Sequence, residues 1–227
     1  MYSRAALESA KSFIGSSTAV LTLQNGIGNI ELIEGFVGRS QILAGVTNYA
    51  SDATGPGAIR TEGAGFVRFY SADGKMRPAV AAVGDALAKA GFAAEVFPDV
   101  LSAIWEKAAF NAAINSTCAL AQVPCGGIGA VPEGRNLAFQ IAREAVSVAQ
   151  ASGIGASADR VISSLEYSFV HHKDHYPSMA QDVMKKRRTE IGSINGEIVR
   201  QGEAKGIPVP FTKTVFELMK VVEASFA

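Results

Sequence analysis

Only two of the 227 residues are cysteine, Cys118 and Cys125. They cannot supply the disulfide framework of a small secreted domain, they form no CxxC pair, and they indicate a reducing, cytoplasmic setting. Neither has an activating neighbour in sequence, so both read as inert packing residues. Net charge is absent too: Lys plus Arg and Asp plus Glu each number 21. Without a basic excess, neither nucleic acid nor an anionic membrane is expected as the main partner. No apolar run reaches the length of a bilayer span. Residues 1–17 have no signal-peptide layout of basic start and apolar middle. Repeats, low-complexity tracts and charge blocks are also missing. What is present is 48% hydrophobic content, enough for one large domain or two small ones.

The chain reads in two parts. Residues 5–15 predict a helix entering a strand at 18–24, and a second helix follows at about 30–36. Strand-type runs occupy 41–50, 57–63 and 66–71, punctuated by Gly55-Pro56-Gly57 and Gly63-Ala64-Gly65. A helical period covers 78–92, with Gly91 as its stop, and a short strand follows at 93–97. Beyond Pro98 the pattern is helical: 100–123 with Asp99 as N-cap, then about 133–152, 156–170, 178–204 and 212–225. Pro177-Ser178 with Gln181 has the form of a capping box. The expected organisation is therefore α/β over 1–97 and all-α over 98–227. Strand 18–24 is expected at a poorly paired sheet edge, since an open parallel sheet needs several βαβ units and only one is visible.

Three places hold polar groups that a plain fold does not require. In Gln24-Asn25-Gly26-Ile27-Gly28-Asn29, a strand meets a glycine turn and then a helix. A dinucleotide fingerprint needs a third glycine, and Glu31 stands in its place. Asn25 sits at a carboxyl strand end, where open α/β sheets bind ligands; the alternative is a plain Asn-Gly turn. In 105-WEKAAFNAAIN-115, Lys107, Asn111 and Asn115 share one face of an otherwise apolar helix. They line either a wet cleft, where partial burial would make the lysine a competent acid or base, or an exposed stripe. On a helix over 178–204, Met179, Val183, Ile191, Ile194 and Ile198 fall on one arc and Glu190 falls within it. That carboxylate faces a site or pairs with Arg187. His171, His172 and His175 include an i,i+4 pair without further ligands nearby, and no metal site is expected.

These segments in this order resemble the ketopantoate reductase (2-dehydropantoate 2-reductase) family. The matching stretches are LQNGIGNIE at 23–31, GVTNYASDATGPGAIRTEG at 45–63, WEKAAFNAAINSTCAL at 105–120, and SMAQDVMKKRRTEIGSINGEIVRQGEAKGIPVPFT at 178–212. The resemblance spans nearly the whole chain. It implies a Rossmann-like sheet, here partial, followed by a helical domain of the 6-phosphogluconate dehydrogenase C-terminal type, with the active site between them. It also implies NADPH-dependent reduction of a 2-keto acid, 2-dehydropantoate to pantoate in pantothenate and CoA biosynthesis. By resemblance, Lys107 is the catalytic acid at the ketone oxygen. Glu190 holds the cofactor ribose and orients the lysine. Asn25 and Gly26 lie at the nicotinamide end. Asn25, Asn111, Asn115 and Ser178 contact the substrate.

Two departures qualify the expectation. Cys125-Gly126 stands where the family often has Asn-Gly, which removes a substrate hydrogen bond and opens the way to another 2-keto acid. The family's GxGxxG turn is not in this sequence, so NADP(H) is expected without an identifiable pyrophosphate turn, from a chain read as truncated. A homodimer or a separate N-terminal segment is the expected protein partner. The competing expectation is a non-catalytic paralogue acting as a helical interaction or dimerisation module.

Overall fold

The structure is a computed structural model and describes residues 2–226. The chain divides into two compact units. One comprises the chain up to Gln24 together with Gly28–Ala103; the other comprises Asn25–Ile27 together with the chain from Ile104 onward.

The elements of the first unit are α1 (Tyr2–Ala10), β1 (Val20–Thr22), α2 (Asn29–Glu34), β2 (Ile42–Thr47), β3 (Ala50–Gly55), β4 (Ala58–Glu62), β5 (Val67–Ser71), α3 (Pro78–Lys89) and β6 (Ala94–Val96). The main sheet has the order β1-β2-β5-β6; β1 runs parallel to β2 and β6 parallel to β5, while β2 and β5 are antiparallel. β2 is an interior strand, and Ile42, Leu43, Ala44 and Val46 are all buried, as a strand covered on both faces requires. Gly45 belongs there because a Cβ would lie 2.4 Å from the Arg68 carbonyl and 2.8 Å from Phe69 Cβ. Phe69, Ile30, Ile33 and Val80 complete this core.

The run expected as one strand over 41–50 ends at Thr47. The Thr47 hydroxyl donates to the Phe66 carbonyl and the Asn48 side chain accepts from the Phe66 N–H, so the chain leaves the sheet there. β3 and β4 form a separate antiparallel pair. β1 pairs with β2 over three residues, and among the described residues no strand flanks its other side. α3 begins with Pro78 at its first turn, and Gly91 just past its end takes φ 86°.

The second unit is helical: α4 (Val100–Ala121), whose first turn spans the division at Ala103, then α5 (Cys125–Gly129), α6 (Pro132–Ala151), α7 (Ala158–His171), α8 (Ser178–Met184), α9 (Asn195–Lys205) and α10 (Pro210–Ala224). α4 is its axis: Ala108, Ala109, Ala112, Ala113, Ile114 and Cys118 are buried among Ile141, Leu165, Met179, Ile194, Ile198 and Met219. Small residues on α4 let neighbouring helices approach it. Each fully buried Leu, Ile or Met contributes about 1.5–3 kcal/mol.

Two differences from the sequence expectation matter. α5 was not anticipated. The helix expected over 178–204 is two helices separated by 185–194. The break is a Schellman turn built on Lys186, which takes φ 50°. The Lys186 N–H donates to the Val183 carbonyl and the Arg187 N–H to the Asp182 carbonyl. Arg187 Nε also bonds the Asp182 carboxylate. Met179, Val183, Ile191, Ile194 and Ile198 are still all buried, but they reach the core from two helices and a turn.

Candidate functional site

Asn25, Gly26 and Ile27 follow β1 yet belong with the helical unit. The Ile27 N–H donates to the Ser193 carbonyl at 3.2 Å. Gly26 has φ 84°, and a Cβ there would lie 2.3 Å from that same carbonyl. Glycine is thus required twice, for the backbone angle and for the close approach. The joint brings Asn25 Nδ2 to 3.2 Å from Glu190 Oε2. Two residues 165 apart in sequence therefore share a hydrogen bond, and the carboxylate pairs with an amide, not with Arg187.

The Schellman turn directs Glu190. A continuous helix would bury its carboxylate on the Met179–Ile198 face; broken, the chain leaves Glu190 exposed while Ile191 beside it is buried. Thr189 anchors the segment: its N–H and its hydroxyl both donate to Glu223 Oε1 at 2.8 Å. On the far side, the buried Asn195 amide donates to the Ala112 carbonyl at 3.1 Å, which ties the segment to the middle of α4. Sequence reading missed Thr189, Glu223, Ser193 and Asn195. Only the buried position of Asn195 on α9 leaves a trace in the pattern; the other links are tertiary.

Lys107 is half-buried on α4. Burial pushes its ammonium below the ordinary lysine value, and the Glu190 carboxylate pulls it partly back. Asn111 and Asn115 follow on the same face, each step rising about 6 Å. They are 8% and 6% exposed. α4 thus carries a cation and two amides in line, all three close to apolar packing. Glu106, next to Lys107 on α4, accepts from the Arg160 guanidinium and the Ser157 N–H. Ser178 is exposed at the first position of α8; the cap residue is Pro177, and Gln181 bonds the Tyr176 carbonyl, so the capping box does not form.

The cysteines are not isolated. Cys118 and Cys125 are both buried. Their thiols hydrogen-bond each other, which pushes Cys118 up and brings Cys125 down to about 7, aided by Ser168. The neighbour that Cys125 lacked in sequence is Cys118, which is itself made less acidic by the pairing. His171 stacks on Tyr167 at 4.2 Å between ring centres. Among the described residues no three His, Cys, Asp or Glu side chains gather as a metal site.

The group can perform one kind of chemistry well. A half-buried ammonium stabilises negative charge developing on an oxygen and can protonate it. An exposed carboxylate with an amide beside it can accept hydrogen bonds from vicinal hydroxyls and offer a donor next to them. Two further amides can bind a polar acid skeleton.

Residues 99–223 match the family model described as ketopantoate reductase PanE/ApbA C terminal, and residues 1–74 match ketopantoate reductase PanE/ApbA. The 2-dehydropantoate 2-reductase of Streptococcus pyogenes serotype M6 is 35% identical over 219 residues, 96% of this chain and 71% of that one. The 2-dehydropantoate 2-reductase of Halobacterium salinarum is 31% identical over 204 residues, 90% of this chain and 67% of that one. D-mandelate dehydrogenase, solved with NADH and anilino(oxo)acetate, has a TM-score of 0.93 and 31% identity over 100% of this chain and 74% of that chain. No described helix is long and apolar enough to cross a membrane.

Proposed function

The chain belongs to the ketopantoate reductase family, and on that premise we propose that it carries the substrate-binding and proton-donating machinery of an NADPH-dependent 2-keto acid reductase. The observation that carries the reading is the convergence of Asn25, Glu190 and Lys107: a hydrogen bond joins the first two, and an electrostatic interaction joins the last two. The dinucleotide fits the donor set here, because Glu190 and Asn25 offer an acceptor and a donor to ribose hydroxyls. When bound, the nicotinamide supplies the hydride. Lys107 holds its proton at the ketone oxygen and transfers it as the carbonyl becomes an alkoxide. Its partial burial strengthens that interaction, because less water screens it. Glu190 keeps the ammonium protonated and aimed. Asn111, Asn115 and Ser178 bind the acid skeleton and exclude alternative poses.

The favoured substrate is 2-dehydropantoate. A second reading, reduction of another 2-keto acid, is favoured by one observation: Cys125 is buried against Cys118 and offers no amide to a substrate. The likeness to D-mandelate dehydrogenase agrees with it.

Oxidation of NADPH followed with 2-dehydropantoate and with phenylglyoxylate separates the two readings by their kcat/KM. Lys107→Ala is expected to lower kcat by about 10²–10⁴-fold with a much smaller change in KM. Near-normal turnover of that variant would remove the acid role. Calorimetric titration of 2-dehydropantoate provides a readout independent of turnover, with Asn111→Ala expected to weaken binding about tenfold.

A further inference from the structure

Glu190 stands between α8 and α9, so no regular helix fixes it, and its backbone is held by individual hydrogen bonds. On one side, Thr189 donates both its N–H and its hydroxyl to Glu223 Oε1, each at 2.8 Å. The same hydroxyl oxygen accepts from the Ile191 N–H at 3.2 Å, so one side chain spans the Glu190 backbone. On the other side, the Glu190 carbonyl accepts from the N–H groups of Ser193 and Ile194, each at 3.1 Å. The Ser193 carbonyl in turn accepts from Ile27, two residues past Asn25. Glu190 is therefore linked to the Asn25 turn twice, through its backbone and through its carboxylate. Glu223 ties this assembly to α10. Its side chain is only 8% exposed, and burying a carboxylate is unfavourable unless its oxygens are used. Both are: Oε1 serves Thr189 and Oε2 accepts from Lys220. Lys186 and Arg188 are the other charged side chains on the hollow that Glu223 and Lys220 border.

We propose that Glu223 is a positioning residue: by clamping Thr189 it fixes the backbone of Glu190, and so keeps the Glu190 carboxylate at Asn25 and within reach of Lys107. The inference deepens the reductase reading and rests on it for its catalytic consequence. Glu223 acts through Thr189 and Glu190, not on the reacting atoms. An exposed carboxylate on a turn has many rotamers, and fixing the backbone beneath it reduces the entropy lost when it is held in one place. The clamp needs an acceptor oxygen at the position of Oε1, not a negative charge, because both Thr189 groups are neutral donors.

The test is an NMR pH titration of the full chain that reads the Asn25 side-chain amide and the Lys107 ammonium, each assigned by its own substitution. Glu223→Ala removes the acceptor. The Asn25 amide protons are then expected to shift toward the position of a solvated amide. The Lys107 titration is expected to move to lower pH, part of the way to where Glu190→Gln puts it. Glu223→Gln removes the charge but keeps an acceptor oxygen, so both signals should stay near those of the unaltered chain. Thr189→Val deletes the hydroxyl and leaves the Glu223–Lys220 pair in place. It should move both signals in the same direction by less, and it keeps the test decisive if Glu223→Ala does not fold. Asp73→Asn, a destabilising change in the first unit, should move neither signal. Unmoved signals in Glu223→Ala, or in Thr189→Val where Glu223→Ala does not fold, would overturn the inference. Equal displacement in Glu223→Ala and Glu223→Gln would overturn it too, since the effect would then come from the charge of Glu223 and not from its grip on Thr189. Neither signal depends on turnover. Near-normal activity of Lys107→Ala would therefore remove the reductase reading while these signals still report the clamp.

Discussion

At the scale of the residue, Lys107 is the group whose environment is most consequential. Burial lowers its proton affinity and Glu190 restores part of it. If Lys107 donates the proton, turnover falls as pH rises through its pKa, which lies below the ordinary lysine value. Glu190→Gln removes the restoring charge, so the falling limb should move to lower pH. Arrival of the limb at unchanged pH would mean that Glu190 does not set the protonation of Lys107. Gly26 is the second such residue. Alanine there would carry a Cβ 2.3 Å from the Ser193 carbonyl at φ 84°. We expect Gly26→Ala to cost about 2–4 kcal/mol, strain and overlap together, measured by urea denaturation. The same variant should separate Asn25 from Glu190.

At the scale of the element, the decisive feature is the interruption between α8 and α9. Its cohesion depends on buried hydrogen bonds, and Asn195 shows how. Its amide nitrogen bonds the Ala112 carbonyl and, at 3.4 Å, the Ser116 hydroxyl, while its Oδ1 is buried without a partner among the described residues. Asn195→Ala deletes one unpaired acceptor along with the donor, and the Ala112 carbonyl still accepts from Ser116. A loss of about 1 kcal/mol is expected. Asn195→Asp adds a buried charge at the same place and should cost about 3 kcal/mol or more. Denaturation curves of the two variants check the order; equal losses would show that the amide is not what holds the segment.

The elements differ in how readily sequence discloses them. β2 and β5 declare themselves by β-branched and aromatic runs, α3 by Pro78 and Gly91, and α4 by its apolar surface with a polar stripe. The interruption at Lys186 does not, because its left-handed cap is a lysine where sequence reasoning looks for glycine. The periodicity of Met179, Val183, Ile191, Ile194 and Ile198 continues across the gap, since the turn returns the chain to the same core. Burial is preserved and helicity is not, so a pattern of burial alone predicts one helix. Asn25 and Glu190 were separately legible as unusual polar groups, but their hydrogen bond depends on Gly26 meeting Ser193, a tertiary fact with no local signature.

At the scale of the whole molecule, acid stability draws on both units through groups with no common partner. Asp73, in the first unit, is held well below the usual carboxylate range by the Arg77 guanidinium and the Ser71 hydroxyl, with the Lys75 N–H adding to them. Glu223, in the second, would be raised by burial, but Lys220 and Thr189 together bring it below its ordinary value. A carboxylate whose folded-state pKa is depressed adds stability that is fully present above its unfolded pKa, about 4, and is lost as pH falls toward the folded value. The melting temperature should therefore be level near neutral pH and fall below about pH 4. Asp73→Asn and Glu223→Gln should each lower it at pH 7. Lacking a shared contact, the two losses should add in the double variant. The gap between the double variant and the unaltered chain should narrow on acidification, because protonation removes from the native chain what the substitutions have already removed. A gap of constant width from pH 7 to about pH 2.5 would mean that the two carboxylates stabilise by packing rather than by charge.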